Sequence, residues 1–380
     1  MTESKKTRCV IIGYGSVGPG VEMAFKDAKN SDMELVGIFT RREPESIETV
    51  YDENMSKVYP LSTLWMFEDK ADVAILCGGS KEDLPVQGPQ ILGGFYDATP
   101  DEIANILNTL PNSHGSKGFN CVCSMDTHKL IPNYKAIMNA AGKSSGKLAI
   151  VSTGWDPGLM SLYRYLFSSF VPNGVTYSGW GFNENSEQKG LSQGHTNAIT
   201  KSVPGVKYGV QYTIRLEEGV QMARNMQEPN LKQKQMRECW IVPHEGADLD
   251  AIRETIVTMP EYFADYNTVV NFITEEEIFR DHTKKEHQGL VIHQGFTGDG
   301  RYPVTLESLL TIGDNPSFTG GILLATARAC HSIHQEGVEL AARGYSDVAK
   351  ELYTGARDVF EVEPFRFSSI PPDEATAKFM

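Results

Sequence analysis

The chain has 380 residues, 40% of them hydrophobic and 22% charged, with 35 Lys and Arg against 49 Asp and Glu. That length exceeds one ordinary core and predicts two domains or three, while a formal charge of -14 repels a phosphate backbone and excludes nucleic acid as an expected partner. No apolar run approaches the ~20 residues of a membrane span, and the apolar patch Cys9 to Ile12 in MTESKKTRCVIIGYG is too short for an export signal, so a cytoplasmic location is expected.

Up to about residue 155, the apolar runs RCVIIG, MELVGIF, ADVAILCGG, FNCVCSMD and KLAIVST alternate with helical runs. Short, nearly continuous apolar strands separated by helices predict an α/β unit with a parallel sheet covered on both faces. The alternation breaks at about 93–117, where GGFYDATPDEIANILNTLPNSHGSK reads as an insertion with one helix: Thr99 caps it, Pro100 takes its first position and Glu102 completes a capping box. Six cysteines, Cys9, Cys77, Cys121, Cys123, Cys239 and Cys330, lie mostly in the apolar runs without zinc-site spacing. They read as buried reduced thiols, and no metal is expected.

The first strand runs into Gly13, Tyr14, Gly15, Ser16, Val17 and Gly18 before a helical run. One glycine permits the tight turn, the next lets backbone approach a pyrophosphate, and the third allows close helix packing, which predicts a Rossmann-type dinucleotide site. Pro19 falls in the first helical turn, where its missing N–H costs nothing. About 20 residues on, an NAD site carries an acid; here Thr40, Arg41 and Arg42 stand instead, with Glu43 and Glu45 close enough in sequence to engage either arginine. A hydroxyl and two guanidinium forks suit a 2′-phosphate, so NADP is the expected cofactor. Ligands of such sheets bind beyond the carboxyl ends of the strands. The later strand ends are Cys77, Gly78, Gly79 and Ser80; Ser124, Met125 and Asp126; and Thr153, Gly154, Trp155, Asp156 and Pro157. They are expected to converge on the cofactor, with Asp126 and Asp156 facing the nicotinamide side.

After Pro157 the pattern changes to an apolar helix LMSLYRYLFSSF, strands GVQYTIRL, ECWIVPH and NTVVNFI, and a helix ADLDAIRETI between the last two. This predicts an α+β unit with an antiparallel sheet and helices on one face. From Thr319 a long helical pattern returns to the first domain. The expected division is a dinucleotide-binding domain over 1–153, completed by about 318–380, and a substrate-binding and dimerisation domain over 154–317.

With STGWDPG, GLSQGHTNAI and GVQYT joined to VIIGYG, LVGIFTRR, ILCGGS, TMPEYF, VNFI and NPSFT, the chain resembles the meso-diaminopimelate dehydrogenase family over most of its length. The resemblance implies NADP-dependent, reversible oxidative deamination at the D-centre of meso-2,6-diaminoheptanedioate, giving L-2-amino-6-oxoheptanedioate and ammonium, in lysine and peptidoglycan precursor synthesis. It also implies a homodimer. Matched position by position, it implies that Asp126 and Asp156 surround the reacting amine and Trp180 forms an indole wall. Gln193 and Gly194, with His195 beside them, make a substrate loop, and Thr213, Arg237, His287 and Asn315 meet the distal amino-acid end.

Two carboxylates for an ammonium and several donors for a distant carboxylate suit a substrate with two zwitterionic ends. The expected chemistry is hydride loss from Cα with the amine deprotonated; Asp126 and Asp156 stabilise the iminium, and water or His195 relays protons. Two alternatives are a dehydrogenase of another D-amino acid and a non-catalytic NADPH-sensing protein.

Overall fold

The structure, a computed structural model, describes residues 6–105 and 116–369. Contacts divide the chain into two compact units, Met1–Leu159 with Pro316–Met380, and Met160–Asn315.

In the first unit the apolar runs become β1 (Thr7–Ile12), β2 (Met33–Thr40), β4 (Val73–Leu76), β5 (Asn120–Cys123) and β6 (Leu148–Ile150). The short edge strands are β3 (Val58–Pro60) and β15 (Gly355–Arg357). They form one seven-stranded sheet in the order β15-β6-β5-β4-β1-β2-β3, and every pairing is parallel. Alternate side chains of the same strands feed two cores. Val10, Ile12, Ala74, Leu76 and Cys121 pack with the helices Leu84–Gly93 and Ile131–Ser145 on one face. Cys9, Ile11, Val73, Ile75 and Val122 pack on the other against Leu323, Leu324, Ala327 and Cys330 of the helix Asn315–Ala342. Burial on both faces is why these strands read as unbroken apolar runs.

The long helix meets the helix Gly18–Ala24 backbone to backbone. A Cβ on Gly20 would lie 2.1 Å from the Pro316 carbonyl oxygen, and one on Gly320 would lie 2.2 Å from the Gly20 carbonyl carbon. Side chains at either position would force the helices apart. In the insertion, the expected capping box forms at Thr99 and Glu102 of the helix Pro100–Ala104; its residues 106–115 lie outside the described residues. Five cysteines are buried and Cys77 is partly so, all unpaired by disulfide. Among the described residues, no helix is long and apolar enough to cross a membrane.

The second unit holds two sheets, one more than the sequence predicts. β7 (Gly174–Trp180), β13 (His287–Thr297) and β14 (Tyr302–Ile312) form an antiparallel sheet in the order β14-β13-β7. The other sheet comprises β8 (Phe182–Asn183), β9 (Gly190–Leu191), β10 (Val206–Arg215), β11 (Gln235–Pro243) and β12 (Asn267–Phe272). The expectation of an antiparallel sheet is corrected here. β10 and β11 pair antiparallel, but β11 and β12 pair parallel, as do β8 and β10. The helix Leu249–Val257 lies between β11 and β12 in the chain and carries it back to the same edge, and a helical crossover makes its two strands parallel. Ile252 and Ile256 of that helix pack with Ile199, Cys239 and Ile241 on one face of the mixed sheet.

Candidate active site

In the first unit the candidate cofactor-binding residues begin at the β1 turn. Gly13 has a φ of 86° and donates its N–H to the Phe39 carbonyl at 2.8 Å, a conformation open to glycine without strain. A Cβ on Gly18 would stand 2.7 Å from the Gly13 oxygen, whereas one on Gly15 would meet nothing within 4 Å. The turn is therefore tight at its ends and open at its middle. The following helix has no side-chain cap at Val17 and carries proline in its first turn, so its N-terminal N–H groups are left for an anion. This backbone fits a pyrophosphate at Gly13 to Gly18, with Gly15 exposed and Ser16 half-buried beside it.

At the end of β2, the Thr40 hydroxyl accepts the Arg42 backbone N–H at 3.0 Å, and the Arg42 guanidinium donates to the Tyr14 carbonyl. Arg41 engages neither of the nearby glutamates; its partner is Asp83, at 2.5 Å. The ends of β4, β5 and β6 are linked in a row. The Asp126 backbone N–H donates to the Ser80 hydroxyl at 3.1 Å, and the Thr153 N–H and hydroxyl both donate to the Cys123 carbonyl, at 3.1 and 3.3 Å. Between them, Met125 is buried and Ser124 partly so. Trp155, Asp156 and Pro157 form the tip of a loop closed by a bridge between Gly154 and Gly158. A Cβ on Gly158 would fall 1.9 Å from the Gly154 oxygen, so this closure depends on glycine. Trp155 and Pro157 are buried, and Asp156 is partly exposed between them.

Asp126 reaches solvent, yet enough protein surrounds its carboxyl that desolvation raises its pKa above the ordinary value, against the opposing effects of the Ser80 hydroxyl and His128. The geometry thus brings Asp126 to the strand ends beside Cys77 to Ser80 and supplies a carboxyl more basic than a fully hydrated one.

In the second unit, Thr213 and His287, two of the residues predicted for the distal end, lie near Arg237. Arg237 is 5% exposed. Its guanidinium donates to the Thr213 hydroxyl at 2.5 Å and lies 4.1 Å from the Tyr266 ring centre. Its Nε has no hydrogen-bond partner, and among the described residues no carboxylate lies within ion-pair distance. Burial lowers its pKa. Thr213 and Arg237 face each other across the β10–β11 pair.

His287, at the start of β13, is buried, and its Nδ1 accepts the Gln288 N–H at 2.8 Å. Burial and then the nearby Arg237 charge push its pKa down to about 4, although its Gln288 backbone contact opposes the shift. His195 sits one turn into the helix Gln193–Ser202. Its Nδ1 meets the Ser192 hydroxyl at 2.6 Å, and its ring lies edge-on to Tyr262 and Phe263, with ring centres 5.3 and 5.7 Å away. Desolvation, then Arg237 and His287, hold its pKa well below the ordinary histidine value, so both imidazoles are neutral at pH 7. Gln193 and Gly194 open that helix, Trp180 ends β7, and Asn315 donates its backbone N–H to Lys285 at 2.9 Å at the start of the long helix.

Sequence reasoning missed several members. Tyr266, under Arg237, carried no motif. Ser192, just before Gln193, should have been a helix cap, but its hydroxyl turns to His195 instead. Glu22 is fully buried on the first helix. Its carboxylate accepts from the Tyr14 hydroxyl, from the Val50 and Tyr51 backbone N–H groups at 2.9 and 3.2 Å, and from Asn54 at 2.7 Å, which ties the glycine turn to the segment after β2.

Comparison with known proteins bears on the same residues. The family model described as the diaminopimelic acid dehydrogenase C-terminal domain matches residues 154–312. A meso-diaminopimelate D-dehydrogenase of Lysinibacillus sphaericus is 41% identical over 343 residues, covering 90% of this chain and 93% of that one. The solved Corynebacterium glutamicum DAP dehydrogenase in complex with DAP superposes with a TM-score of 0.78 at 31% identity, covering 99% of this chain and 100% of that one. An engineered D-amino acid dehydrogenase bound to NADP+ matches with the same TM-score, identity and coverage.

Proposed function

The chain belongs to the meso-diaminopimelate D-dehydrogenase family, and on that premise we propose that it oxidatively deaminates the D-centre of meso-2,6-diaminoheptanedioate, reversibly, to L-2-amino-6-oxoheptanedioate and ammonium. NADP, when bound, accepts the hydride released from Cα. The open, uncapped turn at Gly13 to Gly18 would hold its pyrophosphate, and Thr40, Arg41 and Arg42 its 2′-phosphate.

The observation that carries the reading is Arg237. A guanidinium this buried, with an unpartnered Nε and no carboxylate beside it among the described residues, is held ready for an anion from outside the chain. A diacid offers one at its far end; an amino acid with a single carboxylate, already at the reacting centre, leaves Arg237 unanswered. Thr213 and neutral His287 complete this end as hydrogen-bonding groups, with Asn315, Gln193 and Gly194 assigned beside them and Trp180 as an apolar wall.

At the reacting end, Asp126 and Asp156 hold the substrate ammonium. Asp126, its pKa raised by desolvation, is suited to take a proton from the amine so that the nitrogen lone pair can assist hydride departure. Negative charge at Asp156 stabilises the cationic imine that results. Water adds to that carbon and ammonia leaves. His195, neutral because burial and the neighbouring Arg237 charge disfavour its protonation, serves as a hydrogen-bonding group or a proton acceptor.

We read the first unit as the dinucleotide-binding domain and the second as the substrate-binding and dimerisation domain of a cytoplasmic homodimer. The exposed Phe296 and Leu309, on one face of the three-stranded sheet, support an association surface. The purified protein tests the catalytic assignment directly. Incubation with meso-diaminopimelate and NADP should yield NADPH and ammonium in equal amounts, with NAD a poor substitute; the absence of NADPH formation with this substrate would reject the assignment.

A further inference from the structure

The Arg41 partner revealed by the structure is not in its own loop. Asp83 follows β4, and β4 is separated from β2, which ends at Thr40, by β1. Adjacent strands lie ~4.8 Å apart, so Arg41 reaches ~10 Å across the carboxyl end of β1, above the start of the Gly13 to Gly18 turn. The pair is asymmetric. The Asp83 side chain is 14% exposed and that of Arg41 is 64% exposed. One Asp83 oxygen, Oδ2, accepts the Gly79 N–H at 2.8 Å, and the other, Oδ1, accepts from Arg41 at 2.5 Å. Asp83 and Leu84 both return their backbone N–H groups to the Gly79 carbonyl, at 2.9 and 3.0 Å. A Cβ at Gly78 would stand 2.7 Å from that of Asp83, so the glycine pair leaves room for the carboxylate. Asp83 precedes the helix Leu84–Gly93 but makes no side-chain cap there; the carboxylate is spent on the turn and on Arg41. It binds through a single terminal nitrogen of the guanidinium, and no other side-chain hydrogen bond of Arg41 is seen among the described residues. An edge of the fork therefore remains open.

We propose that Asp83 is a positioning residue for cofactor selection: anchored by Gly79, it holds the otherwise mobile Arg41 across the end of β1 with its free edge turned to the 2′-phosphate of NADP. The inference rests on the reading of Arg41 as a 2′-phosphate contact. An exposed arginine loses much rotamer freedom when it grips an anion, and a fixed carboxylate removes part of that loss in advance. Asp83 touches no reacting atom; it acts through Arg41 alone and favours NADP over NAD.

Asp83→Asn tests this cleanly, because the amide oxygen still accepts the Gly79 N–H while the charge facing Arg41 is gone. Dissociation constants for NADP and NAD would be measured by fluorescence titration for the unaltered protein, Asp83→Asn, Arg41→Ala and the double variant. The expected result is a roughly three- to tenfold loss of NADP affinity in Asp83→Asn, the scale of a pair with one exposed partner, with NAD affinity unchanged. In the Arg41→Ala background the same substitution should have no further effect on NADP. Unchanged or tighter NADP binding in Asp83→Asn, equal loss for both cofactors, or additive losses in the double variant would each overturn the proposal. Arg41→Ala separates the two readings: if it weakens NADP selectively while Asp83→Asn does not, only the positioning role fails, and if it leaves NADP binding intact, the 2′-phosphate contact itself is wrong.

Discussion

Replacement of Arg237 by Met separates a binding role from a folding role, because the two respond in opposite directions. The guanidinium is 5% exposed, donates one hydrogen bond to the Thr213 hydroxyl, packs on the Tyr266 ring, and has no counter-ion among the described residues. Two charge-assisted hydrogen bonds to a substrate carboxylate contribute ~1.5–3 kcal/mol each, so their loss amounts to roughly 3–6 kcal/mol. That predicts a fall in kcat/KM for meso-diaminopimelate of roughly 10²- to 10⁴-fold, carried mainly by KM. The protein should lose no stability. An unpaired buried cation is costly, and an apolar chain of similar volume in its place is often neutral or stabilising by ~1–4 kcal/mol. Steady-state kinetics with NADP saturating, together with thermal melting, provides both readouts. A large drop in Tm, or a kcat/KM within a few-fold of the unaltered enzyme, would refute the reasoning that this charge is kept for the ligand.

Asp156→Asn retains the size and turn-forming capacity of the residue between Trp155 and Pro157 but removes the charge; single-turnover hydride transfer should slow on the order of 10²-fold or more with Tm nearly unchanged, and near-normal transfer would reduce Asp156 to a loop residue. His287 makes stability depend on pH. Folded His287 titrates near 4 and the unfolded residue near its ordinary value of ~6.5, so as the pH falls the unfolded chain takes the proton first. Stability is complete above about 6.5 and declines toward 4, by up to ~3 kcal/mol from this group, and His195 acts in the same sense because its pKa is also lowered. Melting curves across that window should show a shallower decline for His287→Asn than for the unaltered protein; parallel profiles would contradict the assignment.

The parts of the fold that announced themselves in the sequence are those fixed by local chemistry. β1, its glycine turn and the next helix follow from one short stretch, as does the capping box at Thr99 and Glu102. The parallel sheet was legible because its strands are buried on both faces. The hairpin of β13 and β14 was not read, although a signal was present: Val304, Leu306 and Leu310 alternate in partial burial along β14, and Gly298, Asp299 and Gly300, all with positive φ, make the turn. The His residues beginning and interrupting β13 masked its strand character. The mixed sheet was misread because three strands in sequence do not reveal that a helix between two of them must carry the chain back across the sheet.

Within the site, motif residues were legible and their partners were not. Asp83 lies 42 residues from Arg41, and Val50 and Asn54 lie 28 and 32 residues from Glu22. A glutamate in an amphipathic run reads as a solvated face until tertiary packing closes backbone N–H groups around it. Tyr266 was invisible for the same reason: an aromatic before a strand has no local mark of the guanidinium stacked on it.

The central claim is that the chain takes a substrate with two amino-acid ends and reacts at the D-configured one. The most direct measurement is NADPH formation from the separate meso and LL isomers of diaminopimelate, with the meso compound deuterated at its D-centre. The account predicts turnover of the meso isomer with deuterium delivered to NADPH, a primary isotope effect on single-turnover transfer, and no reaction of the LL isomer. Comparable oxidation of the LL isomer, or NADPH free of deuterium, would contradict it.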